Sequence, residues 1–262
     1  MNLNLQNKRA IVCGSTQGIG KAIAVELAQL GANVTLAARN EDKLRTALED
    51  LDTTMGQQHD YIVADFTDPY NLNIQVQGYL AQQPTVHILV NNTGGPAGGP
   101  ITEAISDEFM DAFNQHLIAN HLLAKAVIPG MKAANYGRII NIISTSVKQP
   151  LHGLGVSNTI RGAVASWAKT MANELGQFGI TVNNVLPGAT RTGRLESIIE
   201  NKARKTTTEV GTIEEEMMKE IPARRFAEPE EVAAAAAFLA TPAAAYINGI
   251  NVPVDGGRTG CL

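Results

Sequence analysis

The sequence predicts an α/β protein built on a doubly wound parallel sheet with helices on both faces, in one domain spanning residues 1–262. Short apolar runs alternate with longer segments of helical periodicity along most of the chain. Several of these runs are apolar at nearly every position, which is typical of strands covered by helices on both faces. Because the connections are short, the repeated strand–helix units predict right-handed crossovers between parallel strands.

The individual elements follow from these patterns. The predicted strands are residues 10–13, 34–37, 61–63, 88–90, 139–143, 182–186 and 250–254. The predicted helices are residues 19–30, 41–51, 107–134, 157–178 and 229–239. No internal repeat, linker or low-complexity stretch divides the chain, and this favours one domain over two.

One segment, residues 190–222, breaks the alternation. It is rich in Glu, Lys, Arg and Thr and carries helical patches at 195–205 and 214–220. An insertion late in a doubly wound sheet lies over the carboxyl ends of the strands, where ligands bind. We therefore expect a mobile helical substrate lid, with a solvated surface excursion as the alternative.

Composition and charge narrow the function classes. The net charge of −4 and the pI near 5.8 provide no basic surface for nucleic acid or an anionic membrane. No apolar run reaches the ~20 residues of a membrane span, and residues 1–8 lack an apolar signal segment. Cys13 and Cys261 form no metal-binding spacing, and so few cysteines suit a reducing compartment. We expect a cytoplasmic protein with no metal site and no nucleic-acid or membrane partner.

A glycine-rich turn between the first strand and the first helix indicates a dinucleotide phosphate site. It consists of Gly14, Ser15, Thr16, Gln17, Gly18, Ile19 and Gly20. Glycine lets the backbone turn sharply and approach a pyrophosphate closely, and the helix amino terminus offers N–H groups and a positive dipole end. The strand–turn–helix context makes this more specific than a glycine cluster alone.

The end of the second strand favours NADP(H) over NAD(H). Enzymes that use NAD commonly place Asp or Glu there to bind the adenosine ribose, and such a carboxylate repels a 2′-phosphate. This chain has Ala38 followed by Arg39, whose guanidinium matches phosphate oxygens. A surface arginine beside the next helix is the alternative interpretation of Arg39. Asp65, closing the third strand, is placed to accept from the adenine amino group.

Five motifs in order resemble the short-chain dehydrogenase/reductase family, particularly its 3-oxoacyl-(acyl-carrier-protein) reductase branch. They are the glycine turn, Asn91-Asn92-Thr93-Gly94, the run 137–144, Pro187-Gly188 with Thr192, and the run 254–257. The resemblance covers nearly the whole chain and implies a Rossmann fold, NADP(H) and a homotetramer or homodimer. It also implies that Asn91 and Gly94 line the cofactor and that Pro187, Gly188 and Thr192 embrace its nicotinamide end.

The chain differs from this family at the positions of the residues that transfer the proton. Ser144 matches the family serine, but Ser157 stands where the family has Tyr, and Arg161 stands where it has Lys. No tyrosine lies between Tyr136 and Tyr246. His116 stands where the family has an Asn that supports a proton-relay water. The resemblance thus implies a catalytic group of Ser144, Ser157 and Arg161 without the usual acid.

Other residues are candidates for the missing acid. A serine hydroxyl lacks a suitable pKa without an adjacent base, and an arginine is effectively always protonated. Arg161 remains suited to holding the ribose and stabilising negative charge on oxygen. Lys148 and His152 lie in the loop that lines the family's substrate pocket, although either could instead be a solvent-facing loop residue.

Arg191 and Arg194 begin the expected lid and are candidates to anchor an anionic substrate, such as a carboxylate or a phosphopantetheine thioester. A solvated helix end is the alternative for both. The sequence thus predicts an NADP(H)-dependent oxidoreductase that reduces the carbonyl of a small molecule or acyl thioester to an alcohol with a non-standard proton donor. The alternatives are a non-catalytic dinucleotide-binding or sensing protein and a non-redox dehydration or isomerisation.

Overall fold

A seven-stranded, fully parallel sheet forms the centre of the structure, a computed structural model in which residues 1–261 are described. The strands are β1 (Arg9–Cys13), β2 (Asn33–Ala38), β3 (Asp60–Val63), β4 (Ile88–Asn91), β5 (Gly137–Ile142), β6 (Ile180–Pro187) and β7 (Asn251–Val254). Their order across the sheet is β3-β2-β1-β4-β5-β6-β7. The chain therefore reverses its direction of winding between β1 and β4, and ligands bind at such a switch point in doubly wound sheets.

Helices cover both faces of this sheet, so the predicted fold class is confirmed. They are α1 (Gly18–Gln29), α2 (Glu41–Leu48), α3 (Pro69–Gln82), α4 (Ser106–Phe113), α5 (Ala119–Ala133), α6 (Gly155–Leu175), α7 (Gly193–Thr206), α8 (Val210–Lys219) and α9 (Pro229–Ala240). Helices α1, α2 and α9 contribute to one apolar core, while α3, α5 and α6 contribute to the other. No helix within residues 1–261 has the length and apolar character needed to cross a membrane.

Two helical regions differ from the sequence predictions. Helix α3 was not predicted, because its mixed polar sequence buries only Leu72, Val76 and Tyr79 against the sheet. The single helix predicted over residues 107–134 is divided into α4 and α5 by a π-type turn at Asn114–Ile118. Hydrophobic periodicity does not reveal one wide turn, and such turns often occur near functional sites.

Four asparagines form a hydrogen-bonded ladder across the second half of the sheet. The side-chain amide of Asn91 donates to Asn141 (2.8 Å), that of Asn141 to Asn184 (2.9 Å), and that of Asn184 to Asn251 (2.8 Å). These residues pair in register across β4, β5, β6 and β7. Asn91 is only 2% exposed, so its side chain serves the ladder. Asn91 as a residue that lines the cofactor stays a prediction.

Replacement of Asn141 by leucine tests the energetic weight of this ladder. The variant leaves the amide of Asn91 without its acceptor and the carbonyl oxygen of Asn184 without its donor. Because unsatisfied buried polar groups are costly, we expect a loss of about 2–4 kcal/mol in the free energy of unfolding, measured with urea. Asn251→Leu on the edge strand is the control and should cost less, because Asn251 only accepts a bond. Equal losses at the two positions would contradict this account.

The segment expected to form a lid is a small helical unit pinned at its base. It contains α7 and α8, which correspond to the two predicted helical patches. A two-residue bridge pairs Thr190 with Ala227, so the chain leaves and rejoins the sheet edge at nearly the same place. The unit has its own apolar cluster, formed by Leu195, Ile199, Ala203, Ile213, Ile221 and Phe226. Its helical character is confirmed, while its role as a lid stays a prediction.

Candidate active site

The glycine turn after β1 has a backbone path that side chains would obstruct. Gly14 and Gly18 have φ angles of +59° and +54°, which favour glycine. A Cβ atom on Gly14 would lie 2.4 Å from the carbonyl oxygen of Asn92. A Cβ atom on Gly20 would lie 2.2 Å from the carbonyl oxygen of Gly14. Glycine is therefore required here by close backbone packing directly in front of α1.

The amino terminus of α1 fits a diphosphate group. Gln17 precedes α1 in an extended conformation, and its side chain makes no capping hydrogen bond. The first N–H groups of α1 are thus left for an external anion, which the helix dipole also favours. Thr16 is partly exposed next to these N–H groups. Ile19 packs against the apolar core to which α1, α2 and α9 contribute. Ser15 is fully buried and its hydroxyl accepts from the N–H of Ala37 (3.1 Å), so its side chain holds the turn to β2. The expectation that Ser15 binds the cofactor is therefore restricted to its backbone.

Strand β2 ends in Ala38, where many NAD enzymes have an acidic residue, and is followed by the cation of Arg39. Ala38 is 8% exposed, and Arg39 directly after it is exposed. Asp65 lies just after β3, the neighbouring strand, and is partly buried. One of its carboxylate oxygens accepts hydrogen bonds from the N–H and the hydroxyl of Thr67, at 2.9 and 2.8 Å. Its second oxygen makes no hydrogen bond within residues 1–261. This arrangement leaves Arg39 for a phosphate and one oxygen of Asp65 for an amino group.

The turn after β6 joins the glycine turn to the lid. The N–H of Gly188 donates to Val254 (2.9 Å), and a Cβ atom on Gly188 would lie 2.7 Å from Cα of Asp255. Thr192 precedes α7, where its hydroxyl accepts from the N–H of Leu195 (3.4 Å). Its methyl group lies 3.1 Å from the position that a Cβ atom would take on Gly18. The structure thus brings Thr192 to the glycine turn, as expected for residues that share one ligand. Pro187, which ends β6, is partly exposed beside this turn.

Ser144, Ser157 and Arg161 lie on two neighbouring elements. Ser144 follows β5 and accepts from the N–H of Ser146 (3.1 Å), so its hydroxyl proton is free to donate. Ser157 and Arg161 lie one turn apart in the first half of α6. Nη1 of Arg161 donates to the carbonyl of Ile142 in β5 (3.2 Å), which places the guanidinium beside the strand that leads to Ser144.

Arg161 carries a buried charge. It is 7% exposed, and burial together with the charge of Arg194 lowers its pKa from 12.5 to about 10. Arg161 therefore keeps its positive charge at neutral pH. Since the guanidinium has one hydrogen bond within residues 1–261 and no carboxylate partner there, it is suited to stabilise negative charge on a ligand.

His116 lies in the π-type turn and is fully buried. Its Nδ1 is 2.6 Å from the hydroxyl of Thr93, and its Nε2 has no hydrogen-bond partner among residues 1–261. Burial, and then the charges of Arg161 and Arg194, lower its pKa from 6.5 to about 2. His116 is therefore neutral near pH 7 and is no general acid in this state. Thr93, its partner, is a residue that the sequence did not single out, although it lies within the motif at 91–94.

The lowered pKa of His116 predicts a loss of stability in acid. Below pH 6.5 the unfolded chain binds a proton at this histidine and the folded chain does not, so the free energy of unfolding falls as the pH falls toward 2. His116→Asn should flatten this dependence between pH 6 and 4 by up to about 1.4 kcal/mol per pH unit. His87, with its pKa lowered to about 4 by burial, will leave a residual slope. Urea unfolding across this range measures both, and an unchanged slope in the variant would refute the assignment.

The other residues that the sequence singled out differ in exposure and in their contacts. Lys148 is partly buried at the end of the short turn Thr145–Val147, and His152 is exposed on the same loop. Gly94 is exposed, and a Cβ atom added to it would meet no residue among 1–261 other than its chain neighbours within 4 Å. Arg191 forms an exposed ion pair with Glu228 (3.1 Å), and its role as a substrate anchor stays a prediction.

Arg194, which is exposed in the first turn of α7, reaches the loop that follows β4. Its Nη2 donates to the carbonyl of Pro96 (2.6 Å), so the first turn of α7 is held over the loop that follows β4. A parallel bridge between Gly99 and Leu154 ties that same loop to the start of α6. The lid, the loop after β4 and the start of α6 therefore meet around Arg161.

Comparison with known proteins gives one consistent picture. A family model described as "Enoyl-(Acyl carrier protein) reductase" matches residues 14–259. The 3-oxoacyl-[acyl-carrier-protein] reductase FabG of Vibrio cholerae serotype O1 is 33% identical over 257 residues, which cover 97% of this chain and 98% of that protein. The NADPH-dependent reductase BacG of Bacillus subtilis strain 168 is 30% identical over 254 residues, covering 97% and 98%.

The solved structures agree with the sequence relatives. The L-sorbose reductase of Gluconobacter frateurii, determined in complex with NADPH and L-sorbose, superimposes with a TM-score of 0.93. It is 30% identical, and the match covers 100% of both chains. The likeness thus extends over the whole sheet, the lid and the glycine turn.

Proposed function

Since the chain belongs to the short-chain dehydrogenase/reductase family, we propose that it is an NADPH-dependent reductase that converts a carbonyl to an alcohol without the family's tyrosine acid. The observation that carries this proposal is the buried, charged Arg161, which lies beside Ser157 on α6 and is bonded to the strand that ends at Ser144. Ser157 and Arg161 occupy the positions that Tyr and Lys hold in the family, as the spacing from Ser144 indicates.

NADP(H) is the cofactor, consistent with an NADPH-dependent relative and a close structural neighbour that holds NADPH. The first N–H groups of α1 would hold its diphosphate, Arg39 its 2′-phosphate and Asp65 its adenine. Pro187, Gly188 and Thr192 would hold the nicotinamide end. When bound, NADPH supplies a hydride to the carbonyl carbon.

Arg39→Ala should weaken NADPH binding by about 10–100-fold and leave NADH binding nearly unchanged. The lost interaction is a charge-assisted bond to a phosphate that NADH lacks, worth roughly 1.5–3 kcal/mol. Arg45→Ala is a matched control, because this exposed arginine pairs with Glu41 on α2. Quenching or enhancement of nicotinamide fluorescence measures both affinities, and equal losses for NADPH and NADH would remove Arg39 from the phosphate site.

The side chains around the reacting oxygen have separate tasks. As the carbon gains hydride, the carbonyl π electrons move to the oxygen, which becomes negatively charged. The hydroxyls of Ser144 and Ser157 donate hydrogen bonds to this oxygen, and the guanidinium of Arg161 offsets its charge. Preorganised donors of this kind act most strongly where water is excluded, as burial of Arg161 indicates.

Lys148 supplies the proton in this proposal. Its ammonium group gives one proton to the alkoxide, forms the O–H bond and is recharged from solvent. Lys148 is partly buried on the loop between β5 and α6, and its side chain has no ion pair within residues 1–261. His152 is exposed on that loop, and His116 is held neutral, so both are weaker candidates.

The test has two stages that separate catalysis from binding alone. Fluorescence titration first measures NADPH affinity, and NADPH oxidation is then followed with ketones, diketones and acetoacetyl thioesters. Turnover that falls strongly in Ser144→Ala and Lys148→Met, with NADPH affinity retained, supports the mechanism. An unchanged rate in Lys148→Met would exclude Lys148 as the acid. Tight binding without turnover across the panel would instead favour a dinucleotide-binding or sensing protein.

The proposal also covers the substrate class, the oligomeric state and the cellular compartment. The substrate is a small carbonyl compound or an acyl thioester, which α7 and α8 would cover as a lid. We propose a homotetramer or homodimer assembled through α4, α5 and α6 and the last strand, acting in the cytoplasm. Gel filtration with light scattering tests the assembly directly.

A further inference from the structure

Two guanidinium groups converge on one point of the loop after β4. The position that a Cβ atom would take on Gly95 lies 3.5 Å from Nη2 of Arg194 and 3.9 Å from Nη2 of Arg161. Arg161 belongs to α6 beneath the loop, and Arg194 belongs to the first turn of α7 in the lid. A buried cation and a lid cation are therefore close neighbours at the candidate active site.

The protein leaves this pair of charges uncompensated. Within the part of the chain that the structure describes, residues 1–261, neither Arg161 nor Arg194 forms an ion pair. Arg161 donates to the carbonyl of Ile142, and Arg194 donates to that of Pro96. Each charge repels the other, and Arg161 is also removed from water. Like charges in such a setting are unfavourable unless an anion joins them.

Arg138 is a second buried arginine, and its guanidinium finds its hydrogen-bond acceptors within the protein. Arg138 is 3% exposed and donates to the carbonyls of Gly137, Gly179 and Thr241, and its guanidinium lies 4.2 Å from the centre of the Tyr136 ring. Arg161 has one such carbonyl. The difference indicates that Arg161 keeps hydrogen-bonding capacity for a ligand.

We propose that Arg161 and Arg194 together bind a carboxylate of the substrate, next to the carbon that is reduced. This inference rests on the proposed function and names its substrate class, a small oxo acid. Arg161 lies one helical turn after Ser157 and is bonded two residues before Ser144, so an anion held there is close to the reacting carbonyl. A neutral ribose diol needs no pair of cations, whereas a carboxylate accepts from two guanidiniums. The reacting end of an acyl thioester is uncharged and does not fit.

Matched substrates test the charge requirement. Acetoacetate and acetoacetamide differ mainly in the carboxylate, and we expect kcat/KM to favour the acid at least about 30-fold, as for loss of a buried charge pair. Arg194→Gln should reduce that ratio to about 3 or less, and Arg194→Lys should restore part of it. The control Arg204→Gln removes the same charge from the last turn of α7 and should leave the ratio unchanged.

A second readout needs no turnover. With the protein saturated in NADP⁺, malonate should raise the melting temperature more than malonamide, and Arg194→Gln should abolish the difference. If NADPH binds, the panel gives no turnover and malonate still binds, the carboxylate site stands while the reductase proposal fails. Turnover of acetoacetamide or an acetoacetyl thioester as efficient as that of acetoacetate would overturn the site. So would a tenfold loss of NADPH affinity in Arg194→Gln, which would assign Arg194 to a cofactor phosphate.

Discussion

Replacing Arg161 by methionine is expected to lower kcat/KM by about 10²–10³-fold and at the same time to stabilise the ligand-free protein. The activity falls because the proposed mechanism assigns this buried cation to the stabilisation of the reacting oxygen, and removal of one such stabilising group has a cost of this size. The stability rises by roughly 1–3 kcal/mol because a desolvated charge without a carboxylate partner is replaced by an apolar side chain of similar length. Urea unfolding and NADPH oxidation measure the two effects on the same preparations.

Arg138→Met is the matched control for this prediction. Arg138 is equally buried, but its three carbonyl bonds and its contact with Tyr136 serve the fold. We expect this control to lose stability, because it leaves those buried carbonyls with fewer donors. Parallel destabilisation in both variants would show that Arg161 is a structural arginine, and the proposed catalytic group would then lose its central member.

The features that the sequence predicted correctly are those written in local patterns. Continuous apolar runs identified the buried strands, and their alternation with helices was sufficient for the doubly wound class. The glycine turn could be placed because a strand, three glycines and a helix follow one another without a gap. The lid helices were also visible, since Leu195, Ile199 and Ala203 recur at helical spacing on an otherwise polar segment.

The features that escaped prediction depend on which elements become neighbours. The asparagine ladder exists only because Asn91, Asn141 and Asn184 reach the same register in adjacent strands, and strand register is not written in any one strand. Likewise, the π-type turn adds one residue to a helical turn without altering the apolar pattern. The approach of Arg194 to Arg161 joins the lid to α6 through Gly95, and no local motif records that contact.

This difference between local patterns and long-range contacts explains why the sequence alone predicts the cofactor but not the substrate. A dinucleotide is bound largely by backbone N–H groups at a helix terminus, so a short motif reports it. A substrate is bound by side chains from several loops, and their convergence requires the folded structure. Arg161 and Arg194 illustrate this, since they are separated by a strand and a turn in the chain.

Gly20→Ala should reduce NADPH affinity by about 100-fold or more. The added Cβ atom would lie 2.2 Å from the carbonyl oxygen of Gly14 and 2.6 Å from the side-chain amide of Asn92. The turn must therefore move, and with it the N–H groups that would hold the diphosphate, so several charge-assisted hydrogen bonds weaken together. Asn92 currently donates to the carbonyls of Cys13 and Gly14, so the same shift would loosen the link between β1 and the loop after β4. Nicotinamide fluorescence gives the affinity, and circular dichroism shows that the variant is folded.

Gly78→Ala makes the identical chemical change where nothing obstructs it. Gly78 also lies in a helix, α3, and within residues 1–261 no atom outside its own turn of helix and chain neighbours lies within 4 Å of the position that its Cβ would occupy. Because alanine restricts the unfolded chain and favours helix, this variant should be more stable by about 0.5–1 kcal/mol and should bind NADPH normally. The contrast between two helical glycines isolates close backbone approach as the reason for glycine at position 20. Normal NADPH binding by folded Gly20→Ala would contradict that reason, and the glycine turn would then owe its sequence to φ angles at Gly14 and Gly18 alone.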